Sequence, residues 1–237
     1  MFKKSKGVIL AIFSSALVMG GQAAASDHLL SRIYAKVEGG ASISSQTEAT
    51  VTGTLREMAL EKDTLGTGRS VGAGLGMVFN DYLRADVMFN YRTGFELDTP
   101  LADFPSTDPI TGDISSYGVM ASIYWDIATL QAGGISISPF LNAGAGLAVN
   151  KVDSVTVQEV MPIEFEGDTT TNFAWHVGAG LGIGLTENLT LDTSYRYSDL
   201  GDFKSGKNAK NFAGALEEPF KGDLSTHELM VGLRYSF

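Results

Sequence analysis

In the last nine residues of the chain, 229–237, every odd position carries a large apolar side chain, and the even positions between them are Met230, Gly232, Arg234 and Ser236. A period of two predicts a β-strand with one apolar face. The sequence stops on an aromatic residue instead of continuing into a polar turn. The motif is short, so the rest of the chain must support its interpretation. The apolar face consists of the odd positions Leu229, Val231, Leu233, Tyr235 and Phe237.

The same parity extends back through seven further candidate strands. In all of them Asp, Glu, Lys and Arg occur only at even positions, and odd positions are apolar, small or uncharged. A charge on the lipid side of a membrane barrel costs roughly 2–4 kcal/mol at the midplane, so a bilayer would enforce this segregation. The predicted strands are 32–43, 71–79, 83–92, 116–126, 137–150, 173–185 and 189–197, with the eighth beginning near Leu224.

The start of the chain predicts export. Three lysines within residues 3–6 precede an apolar run over 7–19, which is followed by Ala23, Ala24 and Ala25. This pattern is typical of a secretory signal peptide. We therefore expect a signal peptide over 1–25 and one domain over 26–237. No later apolar run is long enough for a membrane-spanning helix.

Composition excludes nucleic acid as a partner and disulfides as a source of stability. The formal net charge is −10, whereas binding to phosphate backbones requires a basic surface. The chain has no cysteine, so its stability must come from strand pairing and packing.

The even positions of the predicted strands should face the inside of a barrel, and many are charged. Both signs are interspersed, which indicates a paired network instead of an ion-selective ring, because buried charges require partners. Hairpin geometry predicts that Arg196 lies near Glu228 and that Asp192 lies diagonally near Arg234. The predicted lumenal charges are Arg32, Lys36, Glu38, Arg84, Asp86, Arg92, Asp126, Asp192, Arg196, Glu228 and Arg234.

Glycines face these charges across two predicted hairpins. Tight turns at 80–81 and 186–188 place alternate glycines of 72–76 and 178–182 opposite inward-facing charged positions. Glycine leaves room for a long neighbour, and eight-stranded barrels have interiors just wide enough for side chains to fill. We therefore do not expect a wide permanent pore. The repeated Gly-Ala-Gly-Leu-Gly does not match G-x-G-x-x-G and lies within strands, so no phosphate loop is predicted.

The connections alternate between short and long. The predicted short turns at 80–81, 128–134 and 186–188 are typical of the periplasmic side of such barrels, and the long segments of the outside. Aromatic residues near the strand ends indicate two interfacial girdles. The long segments are 44–68, 94–114, 152–171 and 199–223, and both 94–114 and 152–171 are acidic.

The acidic segments leave two interpretations open. They could simply be solvated loops that repel one another. They could also bind a basic partner, or divalent cations that bridge to lipopolysaccharide.

The sequence contains no convincing catalytic or metal site. His28, His176 and His227 are the only histidines, and they are widely spaced. Because His227 lacks a suitable neighbouring nucleophile, we expect no enzymatic activity, no metal and no cofactor.

The closing strand and the segment 189–201 resemble those of outer-membrane β-barrels of the OmpA/OmpX-like and opacity-type surface-antigen group. The resemblance implies an all-β, transmembrane, eight-stranded antiparallel up-and-down barrel in the bacterial outer membrane. It also implies that the alternating ending, with Phe237 last, is the signal read by the barrel-assembly machinery. Implied partners are outer-membrane lipid, lipopolysaccharide and surface or host ligands of the loops.

These expectations lead to one leading functional hypothesis and one alternative. The leading hypothesis is a non-enzymatic surface protein that displays acidic loops for envelope integrity or adhesion. The alternative is a small porin-like pore for ions or small solutes. In either case, the closing strand should pair with 32–43 and remove both sheet edges.

Overall fold

The computed structural model describes residues 32–45, 50–53, 56–59, 65–99, 110–157, 163–210, 219 and 221–237. The predicted signal peptide and the loop acids Asp103 and Asp108 lie outside the described residues. Within them the chain forms strands β1 Ile33–Ser44, β2 Thr50–Gly53, β3 Arg56–Ala59, β4 Thr67–Asn80, β5 Leu83–Thr99, β6 Ile110–Asp126, β7 Leu130–Ala132, β8 Ile135–Val157, β9 Ile163–Gly184, β10 Leu189–Lys204 and β11 Lys221–Ser236.

Eight of these strands form a closed antiparallel ring in the order β1, β4, β5, β6, β8, β9, β10, β11. The predicted closure between the first and last strands is confirmed, with Val37 opposite Leu233. At the end of this seam the Phe237 N–H donates to the carbonyl oxygen of Ile33 at 3.2 Å. The fold is therefore the predicted eight-stranded up-and-down barrel, in which closure leaves no sheet edge exposed.

The predicted parity is confirmed in the central part of the barrel. Odd-position side chains point outward and are about half exposed, for example Val71 and Val231 at 55% each. Even-position side chains point into the lumen, where Arg84 and Met88 are 1% and 2% exposed. Because apolar groups cover the outside and charges the inside, this surface suits lipid and not water.

The two ends of the barrel differ, and the strands are longer than predicted at one of them. At the end with the short turns, called here the inner end, the predicted boundaries hold closely. At the opposite, outer end, β5, β6, β8, β9, β10 and β11 continue into the segments predicted as loops 94–114, 152–171 and 199–223. The correction is largest for 152–171, where β8 and β9 are separated only by residues 158–162.

β-Bulges explain why these extensions were read as loops. The register shifts between Arg92 and Phe95, between Gly112 and Ile114, and between Asp199 and Asp202. A bulge inserts an extra residue and reverses the parity of the residues beyond it in the strand that carries it, which is β5, β8 and β10 respectively. The alternation therefore breaks in the sequence although the strand pairing continues.

Three short strands, β2, β3 and β7, are attached to the ring by strand pairing. β2 pairs with β3 inside the segment predicted as the first long loop, and Thr50 pairs with Lys221 of β11. β7 pairs with the start of β8 at the inner end. Among the described residues no helix has the length and apolarity needed to cross a membrane.

Candidate functional site

Glu228 lies at the centre of the buried charges in the lumen. Its Oε1 accepts hydrogen bonds from Arg92 Nε at 2.6 Å and Ser42 Oγ at 2.7 Å. Its Oε2 accepts from Arg196 Nε at 2.8 Å and Ser198 Oγ at 3.1 Å. The residue is 0% exposed. A buried carboxylate is tolerated only when it is paired and hydrogen-bonded, and these donors come from three other strands.

The same cluster extends to β1 through Arg196. The Arg196 Nη1 donates to Glu38 Oε1 at 2.9 Å, and Lys36 Nζ donates to Glu38 Oε2 at 2.9 Å. The Arg196–Glu228 contact is the one predicted from hairpin geometry. We refer to Lys36, Glu38, Arg92, Arg196 and Glu228 as the central ion cluster. Its ion pairs link β1 and β5, in the first half of the chain, to β10 and β11, in the second half. Its side chains fill the middle of the lumen.

A second group of charges lies toward the inner end. The Arg84 Nε donates to Asp126 Oδ2 at 3.0 Å. The Arg84 guanidinium also lies over the rings of Tyr124, at 4.0 Å, and Phe140, at 4.8 Å. Cation–π contacts of this kind stabilise a cation that has been removed from water. Arg84 therefore closes this part of the lumen through packing as well as charge.

Arg234 provides the other predicted pair. Its Nε and Nη2 donate to the two oxygens of Asp192 at 3.2 and 3.3 Å, a bidentate geometry that favours arginine. Its guanidinium is 5.5 Å from the Tyr34 ring centre. The Tyr34 hydroxyl in turn donates to Asp86 Oδ2 at 3.3 Å. Charges and aromatic rings thus alternate across the inner half of the lumen.

Close approach explains two of the lumenal glycines. A Cβ on Gly76 would lie 2.1 Å from the Tyr34 ring, and one on Gly180 would lie 2.5 Å from the Phe140 ring. The sequence predicted charged side chains opposite these glycines across the β4–β5 and β9–β10 hairpins, whereas the two rings belong to the strands on the other side, β1 and β8. The glycines therefore provide the room for the aromatic residues that surround Arg84 and Arg234.

The structure brings together ten of the eleven charges that the sequence placed in the lumen. Positive and negative members of these ten are equal in number, so the filled lumen is formally neutral. Arg32 is the exception. It precedes the first residue of β1 and is exposed at the inner end. Its even position satisfied the parity rule, but the pairing that fixes side-chain direction begins only at Ile33.

A buried apolar cluster at the outer end was missed by sequence reasoning. It begins at even positions near the bulges, such as Val152 and Leu200, and continues beyond them at odd positions, such as Phe95, Val155 and Phe203. A period-two pattern that restarts with opposite parity was the available signal. We refer to this set as the outer plug, which comprises Leu65, Phe95, Ile114, Met120, Ala148, Val152, Val155, Phe165, Ala174, Leu200, Phe203 and Leu224.

The segment 205–210 lies along β9 beside the outer plug. The Gly206 N–H donates to the Glu166 carbonyl oxygen at 2.6 Å, and the Lys210 N–H donates to that of Glu164 at 2.7 Å. The Lys210 ammonium also contacts Glu164 Oε1 at 2.6 Å. This hydrogen bond lowers the pKa of Glu164 from its usual value. Part of the predicted last loop is therefore a strap held on the barrel extension.

The residues of the predicted assembly signal face outward. Leu229 and Phe237 are each 58% exposed, and the three between them are 42–55% exposed. Aromatic residues lie outward near both ends of the apolar surface, with Phe79 and Trp125 at the inner end and Phe173 and Trp175 at the outer one. This is the arrangement predicted for the two interfacial girdles.

The two described histidines have different surroundings. His176 is buried in the lumen beside Asn142, with Nε2 and Nδ2 3.3 Å apart. His227 faces outward and lies 2.7 Å from the Tyr195 hydroxyl through Nδ1. In the described part of the chain no group of three or more histidine or acidic residues has the geometry of a metal site.

A closed eight-stranded barrel with an apolar exterior and a filled, charged interior defines the class of integral outer-membrane β-barrel proteins. The chain belongs to the family described as the outer membrane protein beta-barrel domain, which matches residues 12–237. It is accordingly a protein of the bacterial outer membrane.

Several known proteins are similar to most of the chain. The outer membrane protein PagN of Salmonella typhimurium is 26% identical over 181 residues, which cover 70% of this chain and 72% of that protein. An uncharacterized protein of Brucella abortus is 28% identical over 207 residues, covering 73% of this chain and 70% of that protein. The outer membrane protein OprG from Pseudomonas aeruginosa is similar in structure, with a TM-score of 0.49, 11% identity and coverage of 86% and 96% respectively.

Proposed function

We propose that this protein is a closed, non-enzymatic barrel that anchors a folded extracellular extension and displays acidic segments for adhesion or envelope integrity. The observation that carries the proposal is the burial of the lumenal charges. Arg84, Arg92 and Glu228 are 0–2% exposed. In a water-filled channel such groups would remain accessible to solvent, as the polar interiors of porins are.

The outer end gives a second argument for a display function. The outer plug and the strap 205–210 make the extension a packed structure with its own apolar core. Burying apolar groups contributes roughly 25 cal/mol per Å². A barrel that served only to span the membrane would gain nothing from strands that continue beyond it. The extension therefore holds its surface in a defined shape, which suits recognition.

The charge of this surface narrows the class of partner. Glu96, Asp113, Asp153 and Asp168 are exposed on the extension. Carboxylates at this density attract basic protein surfaces. They also coordinate divalent cations, which could link the extension to the phosphates of lipopolysaccharide. The assembly machinery is a further proposed partner, because the outward-facing residues from Leu229 to Phe237 form an uninterrupted apolar row.

Planar-bilayer recording tests the closed lumen. Purified protein inserted into the bilayer is expected to give no stable conductance steps, with a known porin in the same lipid as the positive control. Reproducible open events from the wild-type chain would overturn the proposal and favour the porin-like alternative.

Whole-cell assays test the display function. A strain that lacks the protein is complemented with the wild type or with a variant carrying Glu96→Gln, Asp113→Asn and Asp168→Asn. Lower adherence with unchanged detergent resistance supports adhesion, whereas the reverse supports envelope integrity. Equal behaviour of the two complemented strains in both assays would contradict a role for the acidic surface. Surface protease is expected to cleave within 94–114 on intact cells, which checks the orientation.

A further inference from the structure

The outer face of the barrel carries a polar aromatic patch in which Tyr195 and His227 form its centre. The Tyr195 hydroxyl lies 2.7 Å from His227 Nδ1, and the two rings are stacked at 6.0 Å. Tyr197 lies 5.3 Å from the His227 ring and 5.7 Å from the Trp175 ring. Four rings on three neighbouring strands therefore form one continuous surface. The imidazole is the only histidine side chain on the outward face of the described strands.

The patch lies at the upper boundary of the apolar surface. His227 lies on β11, ten residues before Phe237, which directly follows the end of that strand. With a rise of about 3.3 Å per residue and a strand tilt of about 40°, this separation corresponds to roughly 25 Å along the membrane normal. The apolar band of such barrels is about 25 Å tall. With Phe237 at the periplasmic boundary, the His227 ring is at the level of the outer-leaflet headgroups.

A cation lies on the other side of the barrel seam. Strand pairing places Tyr195, Leu229, Ala41 and Arg69 in one row across β10, β11, β1 and β4. Because the strands are tilted, this row climbs toward the outer end, so Arg69 lies further out than Tyr195 and near the level of His227. Arg69 is exposed and has no ion-pair partner among the described residues. It was missed in the sequence because the second strand was predicted to begin at Val71. The row therefore runs from an aromatic hydroxyl to a guanidinium, with apolar side chains between them.

The spacing of this row favours a ligand larger than a single small anion. Three strand intervals separate Tyr195 from Arg69, which corresponds to about 14 Å at about 4.8 Å per interval. Aromatic faces attract the weakly positive C–H groups of a sugar ring, and tyrosine and histidine supply hydrogen bonds at its edge. A guanidinium binds phosphate through two parallel hydrogen bonds. Sugar and phosphate at headgroup level occur together in a glycolipid.

We propose that the outer face of β10, β11, β1 and β4 binds the phosphorylated sugar headgroup of an outer-leaflet glycolipid. Arg69 contacts a phosphate, and Tyr195 and His227 contact the sugar rings, with Trp175 and Tyr197 packed beside them. The site is on the barrel wall and not on the acidic extension. It depends on the membrane location of the barrel but not on the proposed adhesive role or on the closed lumen.

The two tryptophans of the chain provide a built-in readout. Trp175 lies in the patch and Trp125 lies at the inner end of the barrel. In the Trp125→Phe variant, a diphosphorylated disaccharide lipid titrated into protein–detergent micelles should change the Trp175 fluorescence in a saturable way. In the Trp175→Phe variant, the remaining Trp125 should not respond. Equal responses of the two tryptophans would mean nonspecific lipid exchange and would overturn the site.

Further substitutions in the Trp125→Phe background test how much each proposed contact contributes to lipid binding. Arg69→Gln should weaken binding about fivefold, which corresponds to about 1 kcal/mol for one basic residue at an anionic membrane surface. Tyr195→Phe, which keeps the ring, should also weaken it. The control is Lys151→Gln, an exposed cation on β8 whose ammonium is paired with Asp153. Heat-modifiable gel migration verifies that each variant is folded. If Lys151→Gln weakens binding as much as Arg69→Gln, the assigned site is wrong.

Two further lipids identify the chemistry. The wild-type barrel should bind the dephosphorylated disaccharide lipid more weakly than the diphosphorylated one. The wild-type and Arg69→Gln barrels should bind the dephosphorylated lipid equally, because the proposed phosphate contact is absent in both complexes. Phosphatidylglycerol, which has a phosphate but no sugar, should compete poorly. Competition as effective as that of the disaccharide lipid would contradict sugar recognition and leave only a nonspecific anionic surface.

Discussion

Replacing Glu228 with glutamine removes one negative charge from the centre of the lumen while nearly preserving the shape of the side chain. Arg196 retains its contact with Glu38 at 2.9 Å. Arg92 does not have a second partner of this kind, because Glu228 is its only ion-pair partner among the described residues. The Arg92 side chain is also buried, with an exposure of 2%. Breaking a buried pair by removing one partner costs about 3–5 kcal/mol. We expect Glu228→Gln to lower the free energy of unfolding by that amount.

Urea unfolding of the barrel in detergent micelles or lipid vesicles, followed by tryptophan fluorescence, measures this loss. Asp153→Asn is the matched control, since it also removes one carboxylate from an ion pair, but the Asp153 side chain is 57% exposed. Exposed pairs contribute little, so this variant should unfold like the wild type. Adding Arg92→Gln to Glu228→Gln removes the unpaired cation and should recover more than half of the lost stability, a coupling that a double-mutant cycle quantifies.

A loss below about 1 kcal/mol for Glu228→Gln would refute the reasoning, because screening of that degree occurs only near solvent. The central ion cluster would then be hydrated, and the filled lumen inferred from the burial of Glu228 would be incorrect. A loss of the expected size without recovery by Arg92→Gln would instead place the unpaired charge on Arg196. Both outcomes are distinguishable from general misfolding by heat-modifiable migration.

The remaining predictions concern the lipid face, strand packing and the strap. Val231→Arg should block membrane insertion, because it places a charge against lipid at a cost of roughly 2–4 kcal/mol near the midplane. Val231→Leu should insert normally. Equal insertion of the two variants would refute the assignment of Val231 to the lipid-facing surface. Gly40→Ala should destabilise the barrel in urea unfolding, because its Cβ would lie 1.9 Å from the Leu229 carbonyl oxygen. Gly39→Ala, whose Cβ would have its nearest contact at 3.6 Å, should be neutral or slightly stabilising. The reverse order of stability would contradict the register of β1. The lowered pKa of Glu164 means that its ion pair adds stability above the usual carboxyl pKa and loses it as the pH falls through the lowered value. Protection of the Lys210 amide from hydrogen exchange should fall over that window, and Glu164→Gln should abolish the pH dependence; an unchanged profile would exclude Glu164 as its cause.

The membrane-spanning part of the fold could be predicted because lipid imposes a strict rule on every second residue. Odd positions of β4 and β11 such as Leu75 and Val231 had to be apolar, and this requirement fixed strand identity, facing and closure together. The diagonal pair of Asp192 and Arg234 followed from the same register. The predicted lumenal set also included Arg32, which parity alone could not exclude, because its position just before β1 depends on where strand pairing begins.

The outer extension could not be predicted in the same way because the bilayer rule does not apply there. After the bulge near Arg92, the inward residue is Phe95 and the outward residue is the exposed Glu96. The parity is reversed, and the outward face is polar because water surrounds it. The sequence pattern of the outer extension is the same as that of an ordinary soluble hairpin. Its acidic outward-facing residues favoured the prediction of a loop. Arg69 was missed for a related reason, since the start of β4 is polar on both faces.

The two parts of the lumen would oppose permeation by different physical means, so the proposed closed state does not depend on one ion pair alone. In the central ion cluster an ion would have to displace paired charges such as Arg92 and Glu228, which form good hydrogen bonds with each other. In the outer plug it would meet Phe95 and Phe203, where a charge loses its hydration and gains no partner. A substitution that weakens the first barrier leaves the second intact. Loss of stability and gain of conductance are therefore separable properties of this barrel, and a variant of the central ion cluster should show the former without the latter.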